Sequence, residues 1–216
     1  MGMLDWATVL MGYDGSGLEV GRVLSVRPDG ELEWERDRWE KVEGSYLASV
    51  QVTRDSATAA MRSSGFPCAR DVLRVSGNPA KFLQGHNVFG PSVAEAGPLL
   101  RAMVRAFPAG LRPADADEDK LVAVQRGRYD TALHVDLGAH RLVHEWLRAA
   151  ASSTRSRHGR ALVSGSTVYW GQHSRRWSMK AYCKFCELRE HPPVDWGDEL
   201  RAWCEGHLRL ELTLRR

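Results

Sequence analysis

The run from His207 to Arg216, HLRLELTLRR, alternates almost to its end: Leu208, Leu210, Leu212 and Leu214 fall on one side, and Arg209, Glu211, Thr213 and Arg215 on the other. A repeat of two is the period of a β-strand and excludes a helix, whose apolar positions recur every three or four residues. The strand commits the chain to a sheet with one apolar and one polar face, because a slip of one residue would exchange the two sets. DWATVLMGYD, GRVLSVRPDGELEWER, SYLASVQVTR, the start of DVLRVSGNPAKFLQGHNVFG, DEDKLVAVQR, YDTALHVDLG, STVYWGQ and SMKAYCKFCEL also read as strands, with RPDGE as a turn. Two segments have helical spacing. One starts at Ser92, with Glu95 completing a capping box and Leu99, Leu100, Met103, Val104 and Phe107 as its stripe; the other starts near Ala139 and is expected to bury Leu142, Val143, Trp146 and Leu147. The expected fold class is α+β, a mostly antiparallel central sheet with helices packed on one face. Residues 1–216 read as a single domain in which 1–60 are a strand-rich N-terminal part.

With 43% hydrophobic and 26% charged residues, the 216-residue chain has an ordinary globular composition. No apolar run approaches the roughly 20 residues of a membrane span, and MGMLDWATVLMGYDG lacks the features of a signal peptide, so a cytoplasmic protein is the simplest reading. Cys68, Cys183, Cys186 and Cys204 do not suggest a disulfide framework. The net charge is only +3, but 25 of the 30 basic residues are arginine, whose planar fork suits phosphate; a GC-rich genome would give the same excess. Residues 114–119 are acidic, whereas 148–180 carry Arg148, Arg155, Arg157, Arg160, Arg175, Arg176 and Lys180 with no acid. Such a run is either a phosphate-binding surface or a solvated loop.

Period two also selects which polar groups can meet. His134 and Asp136 share a face in LHVDLG, Tyr182 and Lys184 in AYCKFC, and Arg209 and Glu211 in LRLELT. Carboxylates, an imidazole, two cations and a phenol suit metal-assisted phosphoryl transfer, although the same alternation describes any sheet with one wet face.

The block NPAKFLQGHNVFG, Asn78 to Gly90, resembles P-A-K-x-L-Q-G-H-N-V-F-G of filamentous-phage replication initiators, the gene II protein or CRI family. Downstream, LHVDLG, STRSR, STVYWGQHSRRWSMKAYCKFCEL and LRLELTLR follow in an order similar to that family, so the likeness runs from about residue 73 to the C-terminus. The resemblance implies a rolling-circle Rep nuclease-like fold and a metal-dependent nickase and strand transferase. Such an enzyme joins a tyrosine to the 5′-phosphate at the origin, frees a 3′-OH, and later religates the displaced strand. The family's A-Y-x-K tyrosine falls on Tyr182, with Lys184 as the cation beside it. Mg2+ or Mn2+ is the implied cofactor, with Asp136, Glu211, Glu187, His134 and His86 as candidate ligands. His134 stands where the family usually has arginine, and Glu187 reaches the site only if the strand ends or bulges after Lys184. Lys81, Arg175, Arg176 and Arg209 are candidate DNA contacts, and Trp177, with Trp170, a candidate for base stacking.

The implied partner is origin DNA, single-stranded or locally melted, with the host helicase and polymerase beyond it, in the cytoplasm of a bacterial host and away from membranes. The alternative is a non-cleaving origin-binding module. Cys183 and Cys186 admit a zinc reading with His191, completed by Cys204 or His207. The family block has no cysteine at these positions, which favours small apolar strand residues instead.

Overall fold

Residues 2–12, 18–44, 46, 48–56, 71–108, 111, 122–123, 128–156 and 159–215 are described by the computed structural model. The acidic run 114–119, Cys68 and Arg157 lie outside the described residues. The strands are β1 (Met3–Gly12), β2 (Arg22–Val26), β3 (Leu32–Asp37), β4 (Glu40–Glu43), β5 (Ser49–Asp55), β6 (Val72–Gly77), β7 (Val122–Ala123), β8 (Arg128–Asp136), β9 (Arg155–Ser156), β10 (Gly159–Arg160), β11 (Leu162–Ser164), β12 (Thr167–Trp170), β13 (Trp177–Cys183) and β14 (His207–Arg215). The helices are α1 (Pro79–Gln84), α2 (Ala96–Arg105), α3 (His140–Ser153), α4 (Lys184–Glu190) and α5 (Asp198–Glu205). One large sheet runs β11-β12-β13-β14-β8-β1-β6-β5-β4, with β7 beside β1, and its pairings are antiparallel. The hairpin β2–β3 stands apart and turns at the expected RPDGE.

Register fixes which side chains share a face. Leu208 and Leu210 lie opposite Val135 and Leu133 on β8, and opposite Cys183 and Ala181 on β13. That face carries the helices. Phe82 of α1 and Met103 and Val104 of α2 join Leu4, Ala7, Val9, Met11, Leu73 and Val75 in one core. Val143, Leu147 and Ala150 of α3 join Val168, Trp170, Ala181 and Leu208 in a second. The fold is therefore α+β and mostly antiparallel, with α1 to α3 on one face, as the patterning led one to expect. The capping box at Ser92 is present, with Ser92 Oγ 2.8 Å from Glu95 Oε2.

Two expectations need correction, and one element was not anticipated. Leu142 and Trp146 are exposed, because α3 meets the sheet through the narrower stripe Val143, Leu147 and Ala150. SMKAYCKFCEL is not one strand: β13 ends at Cys183 and α4 begins at Lys184. Cys183 acts as the N-cap, its Sγ accepting the Cys186 N–H at 3.2 Å, and Glu187 complements the positive end of the first turn. The segment α5 carries no element in the sequence reading; its Leu200, Trp203 and Cys204 meet Leu188 and Val88 in a small third core at the end of the sheet.

One irregularity positions the site. Leu4 pairs with Thr131 and Trp6 with Asp130, so Asp5 is an extra residue on β1, a β-bulge. Without it the strand's alternation would place Leu4 and Ala7 on opposite faces. With it both face the helical core, and Asp5 is turned toward the polar face.

Candidate active site

The polar face of β14 is buried more deeply than its apolar face: Arg209 is 0% and Glu211 3% exposed, against 46% for Leu214. A buried guanidinium needs partners, and this one has at least one at each of its three nitrogens. Arg209 donates through Nη2 to Asp5 Oδ1 at 2.6 Å, through Nε to Glu211 Oε1 at 2.7 Å, and through Nη1 to the Asn87 carbonyl at 2.5 Å. Nη1 also lies 2.9 Å from His134 Nε2, which accepts. The arginine expected to touch DNA is thus the spine of the site, with no guanidinium surface left for a backbone phosphate.

Asp5 gathers Asn78 Nδ2 at 2.7 Å and Asn87 Nδ2 at 2.8 Å beside Arg209. Burial pushes its carboxyl above the usual range, a tendency that Arg209 opposes. The segment after α1 is built to deliver Asn87. Gly85 takes a left-handed φ of 79°, and Gln84 Nε2 ties down the carbonyls of His86 at 3.2 Å and Phe89 at 2.6 Å. Asn87 Oδ1 then accepts from Lys184 Nζ at 2.8 Å.

Tyr182 lies opposite Arg209 across β13–β14 and donates its hydroxyl to Glu211 Oε1 at 2.5 Å. Lys180, opposite Glu211, places Nζ 2.6 Å from Glu211 Oε2 and 5.0 Å from the centre of the Tyr182 ring. Burial favours the neutral form of Glu211, but Arg209 and Lys180 outweigh it and hold the group at about 2. Burial and the Glu211 charge together drive the Tyr182 phenol well above 10. The resting tyrosine is a locked hydrogen-bond donor.

Lys184 is fully buried on α4, not on the strand with Tyr182, and is spent on Asn87 and on Glu187 Oε2 at 2.7 Å. Burial lowers its pKa, with Glu187 opposing. It positions the 85–90 segment, and the cation beside the tyrosine is Lys180, whose side chain is 38% exposed. Asp136 is exposed and accepts the Gly138 N–H at 2.7 Å. His86 contacts Gln84 and its neighbour Val88, and lines a cavity of about 220 Å³ with Lys81, Glu187 and His191. Burial and Lys184 lower its pKa. Arg175 and Arg176 are exposed. Trp177 and Trp170 belong to the core beneath α3.

The five candidate ligands do not assemble into a site for Mg2+ or Mn2+. Both Glu211 oxygens already serve cations and the phenol, His134 Nε2 faces a guanidinium, and among the described residues no three of the five converge.

His134 packs edge-on to Trp203, which stacks on His207 at 3.7 Å. Burial, then Arg209, Lys184 and His207, hold the His134 imidazole at about 3, far below its usual 6.5. Protonating it therefore costs the folded state, so its contribution is complete above pH 6.5 and is lost as pH falls toward 3. The expected result is that His134→Gln, which keeps an acceptor for Arg209, flattens the fall in stability between pH 6.5 and 4 by at most about 3 kcal/mol. Urea unfolding across that range checks this, and parallel wild-type and variant curves would remove His134 as the titrating group.

Sequence reasoning missed Asp5, Asn78, Asn87 and Lys180. Lys180 was legible, since it shares a period-two face with Tyr182; Asp5 was not, because a bulge leaves no trace in an alternating pattern.

Fold and site together define a mostly antiparallel α+β protein whose polar sheet face carries a tyrosine on a carboxylate held between a buried arginine and a partly exposed lysine. Residues 3–216 match the family described as Replication-associated protein G2P N-terminal, and the chain belongs to that family. It is 34% identical over 227 residues to the Replication-associated protein G2P of Enterobacteria phage I2-2, covering 99% of this chain and 62% of that protein. It is 31% identical over 126 residues to the Replication-associated protein G2P of Salmonella phage IKe, covering 57% of this chain and 28% of that one. The chain thus spans less than two thirds of the length of these relatives. A solved rolling circle replication initiator protein from Geobacillus stearothermophilus aligns over 99% of this chain and 74% of its own, with 13% identity and a TM-score of 0.37. No helix among the described residues is long and apolar enough to cross a membrane.

Proposed function

We propose that this chain is the nicking and strand-transfer part of a rolling-circle replication initiator, with Tyr182 as its nucleophile and origin DNA as its substrate in a bacterial cytoplasm. Membership of the G2P family supports the role. The observation that carries the chemistry is the 2.5 Å hydrogen bond from Tyr182 to a Glu211 carboxylate that Lys180 also holds.

In the resting site the phenol is far too weak an acid to lose its proton to Glu211. An entering backbone phosphate competes for Lys180, the exposed member of the cluster. When Lys180 turns to the phosphate, Glu211 loses one of the charges that depress it and becomes a stronger base. Tyr182 then gives its proton to Glu211, its oxygen bonds to phosphorus, and the P–O3′ bond breaks, the leaving oxygen taking a proton from solvent. The reverse sequence reseals the strand without ATP. Exposed Arg148, Arg155, Arg160, Arg175 and Arg176 supply the backbone-binding charge of this proposal. The chelator arm of the assay below reads whether the reaction requires Mg2+ or Mn2+.

The test incubates the protein with 3′-labelled random-sequence single-stranded oligonucleotides, with Mn2+, with Mg2+ and with chelator. A labelled protein band that survives denaturant is expected. DNA binding without such a band under every condition would replace the nickase with the non-cleaving module.

A further inference from the structure

On the opposite face of β13 from Tyr182, four side chains converge that the reaction above does not use. Cys183 and Cys186 come from the β13–α4 junction; His140 and His144, one turn apart, come from α3. Their ligand atoms all lie within 4.8 Å of one another. His140 Nε2 is 3.2 Å and His144 Nε2 3.4 Å from Cys186 Sγ, and the two nitrogens are 3.1 Å apart. A tetrahedral zinc with two sulfurs and two nitrogens has ligand-to-ligand edges of about 3.3–3.8 Å, which these separations approach. A neutral imidazole nitrogen is either donor or acceptor, so three mutual contacts among two Nε atoms and one Sγ can be hydrogen bonds only if one proton is shared. A cation at the centre satisfies all the lone pairs at once.

The spacing is that of a structural zinc site, C-x2-C with H-x3-H. The surroundings fit as well. The Cys186 N–H already donates to Cys183 Sγ at 3.2 Å, an outer contact that orients the sulfur. Val143, Leu147, Ala181 and Leu208 form the apolar wall, and the Phe185 ring stands 5.3 Å from His140. The zinc alternative raised by the sequence had the right cysteines and the wrong partners. His191 lines the cavity beside His86, Cys204 is buried with Val88 and Leu188, and His207 stacks on Trp203.

We infer that this protein binds one zinc ion through His140, His144, Cys183 and Cys186, a closed structural site that fastens α3 to the β13–α4 junction. Binding releases the two thiol protons to solvent and leaves no open position for substrate. Its consequence follows from chain order: Cys183 lies between Tyr182 and Lys184, so the ion fixes the strand-to-helix turn that sets both.

The experiment measures zinc per chain in protein purified without added metal, then replaces it with Co2+ and records the visible spectrum. One zinc per chain, a tetrahedral cobalt spectrum with thiolate-to-cobalt absorption, and a Tm lowered by chelator are expected. Cys186→Ser and His144→Asn should weaken zinc binding more than about 100-fold, while His191→Asn should leave it unchanged. The wild-type cobalt spectrum answers the question even if a cysteine variant fails to fold. A metal-free protein whose Tm ignores both chelator and added Zn2+ would overturn the assignment. So would zinc lost with His191→Asn and kept with His144→Asn.

Discussion

Tyr182→Phe is expected to abolish the covalent protein–DNA adduct, by at least about 1,000-fold, with single-stranded DNA affinity within about threefold of wild type. The substitution removes one oxygen and little else. The ring keeps its place beside Lys180, and Glu211 Oε1 keeps its bond from Arg209 Nε at 2.7 Å. No buried charge is stranded, so Tm should move by only a few degrees. The denaturing-gel assay with 3′-labelled oligonucleotides reads the adduct, and filter binding reads affinity. An adduct that persists undiminished would sink Tyr182 as nucleophile and turn attention to Tyr169, which pairs with Lys180 on β12 and shares the same face.

Arg209→Met should destabilise the protein by about 3–5 kcal/mol, because it leaves Asp5 and Glu211 buried beside one another without their shared cation. At roughly 2–4 °C per kcal/mol for a chain of this size, Tm falls by about 10–15 °C. The pH dependence separates lost charge from lost packing. In the wild type, Glu211 titrates at about 2 instead of 4.5, so its contribution is complete above pH 4.5 and is lost as pH falls toward 2. In the variant only Lys180 and the Tyr182 hydroxyl are left to oppose burial, so the same group is expected to move up and protonation to relieve part of the cost. The gap between variant and wild type should therefore shrink as pH falls from 7 toward 4. Adding Asp5→Asn should restore part of the loss, so the two substitutions are not additive. Urea unfolding of the four proteins at two pH values tests this, and a gap that stays constant with pH would make Arg209 mainly a packing residue.

Both predictions turn on residues whose chemistry was legible and whose surroundings were not. Alternation in HLRLELTLRR assigned Arg209 and Glu211 to one face correctly. A polar face ordinarily reads as wet, however, and this one is covered by the 85–90 segment and by Trp203 of α5. Arg209 was expected at DNA and lies at the centre of an ion network instead. Lys184 was placed beside Tyr182 by continuing the strand past Cys183, into a helix that Cys183 caps.

The sequence by itself determined the antiparallel α+β plan, the two faces of β14, the capped start of the first long helix, the family, and the tyrosine on the polar face. These follow from local periods and contiguous motifs, which neighbours in the chain can encode. Only the tertiary structure decided that Asp5, 204 positions before Arg209, completes its ion pair, that Lys180 is the cation over the tyrosine, and that His140 and His144 face Cys183 and Cys186. These depend on a one-residue bulge, a strand-to-helix turn and the rotation of α3 on the sheet. Each is set by long-range burial and charge balance, which a two- or four-residue repeat does not record.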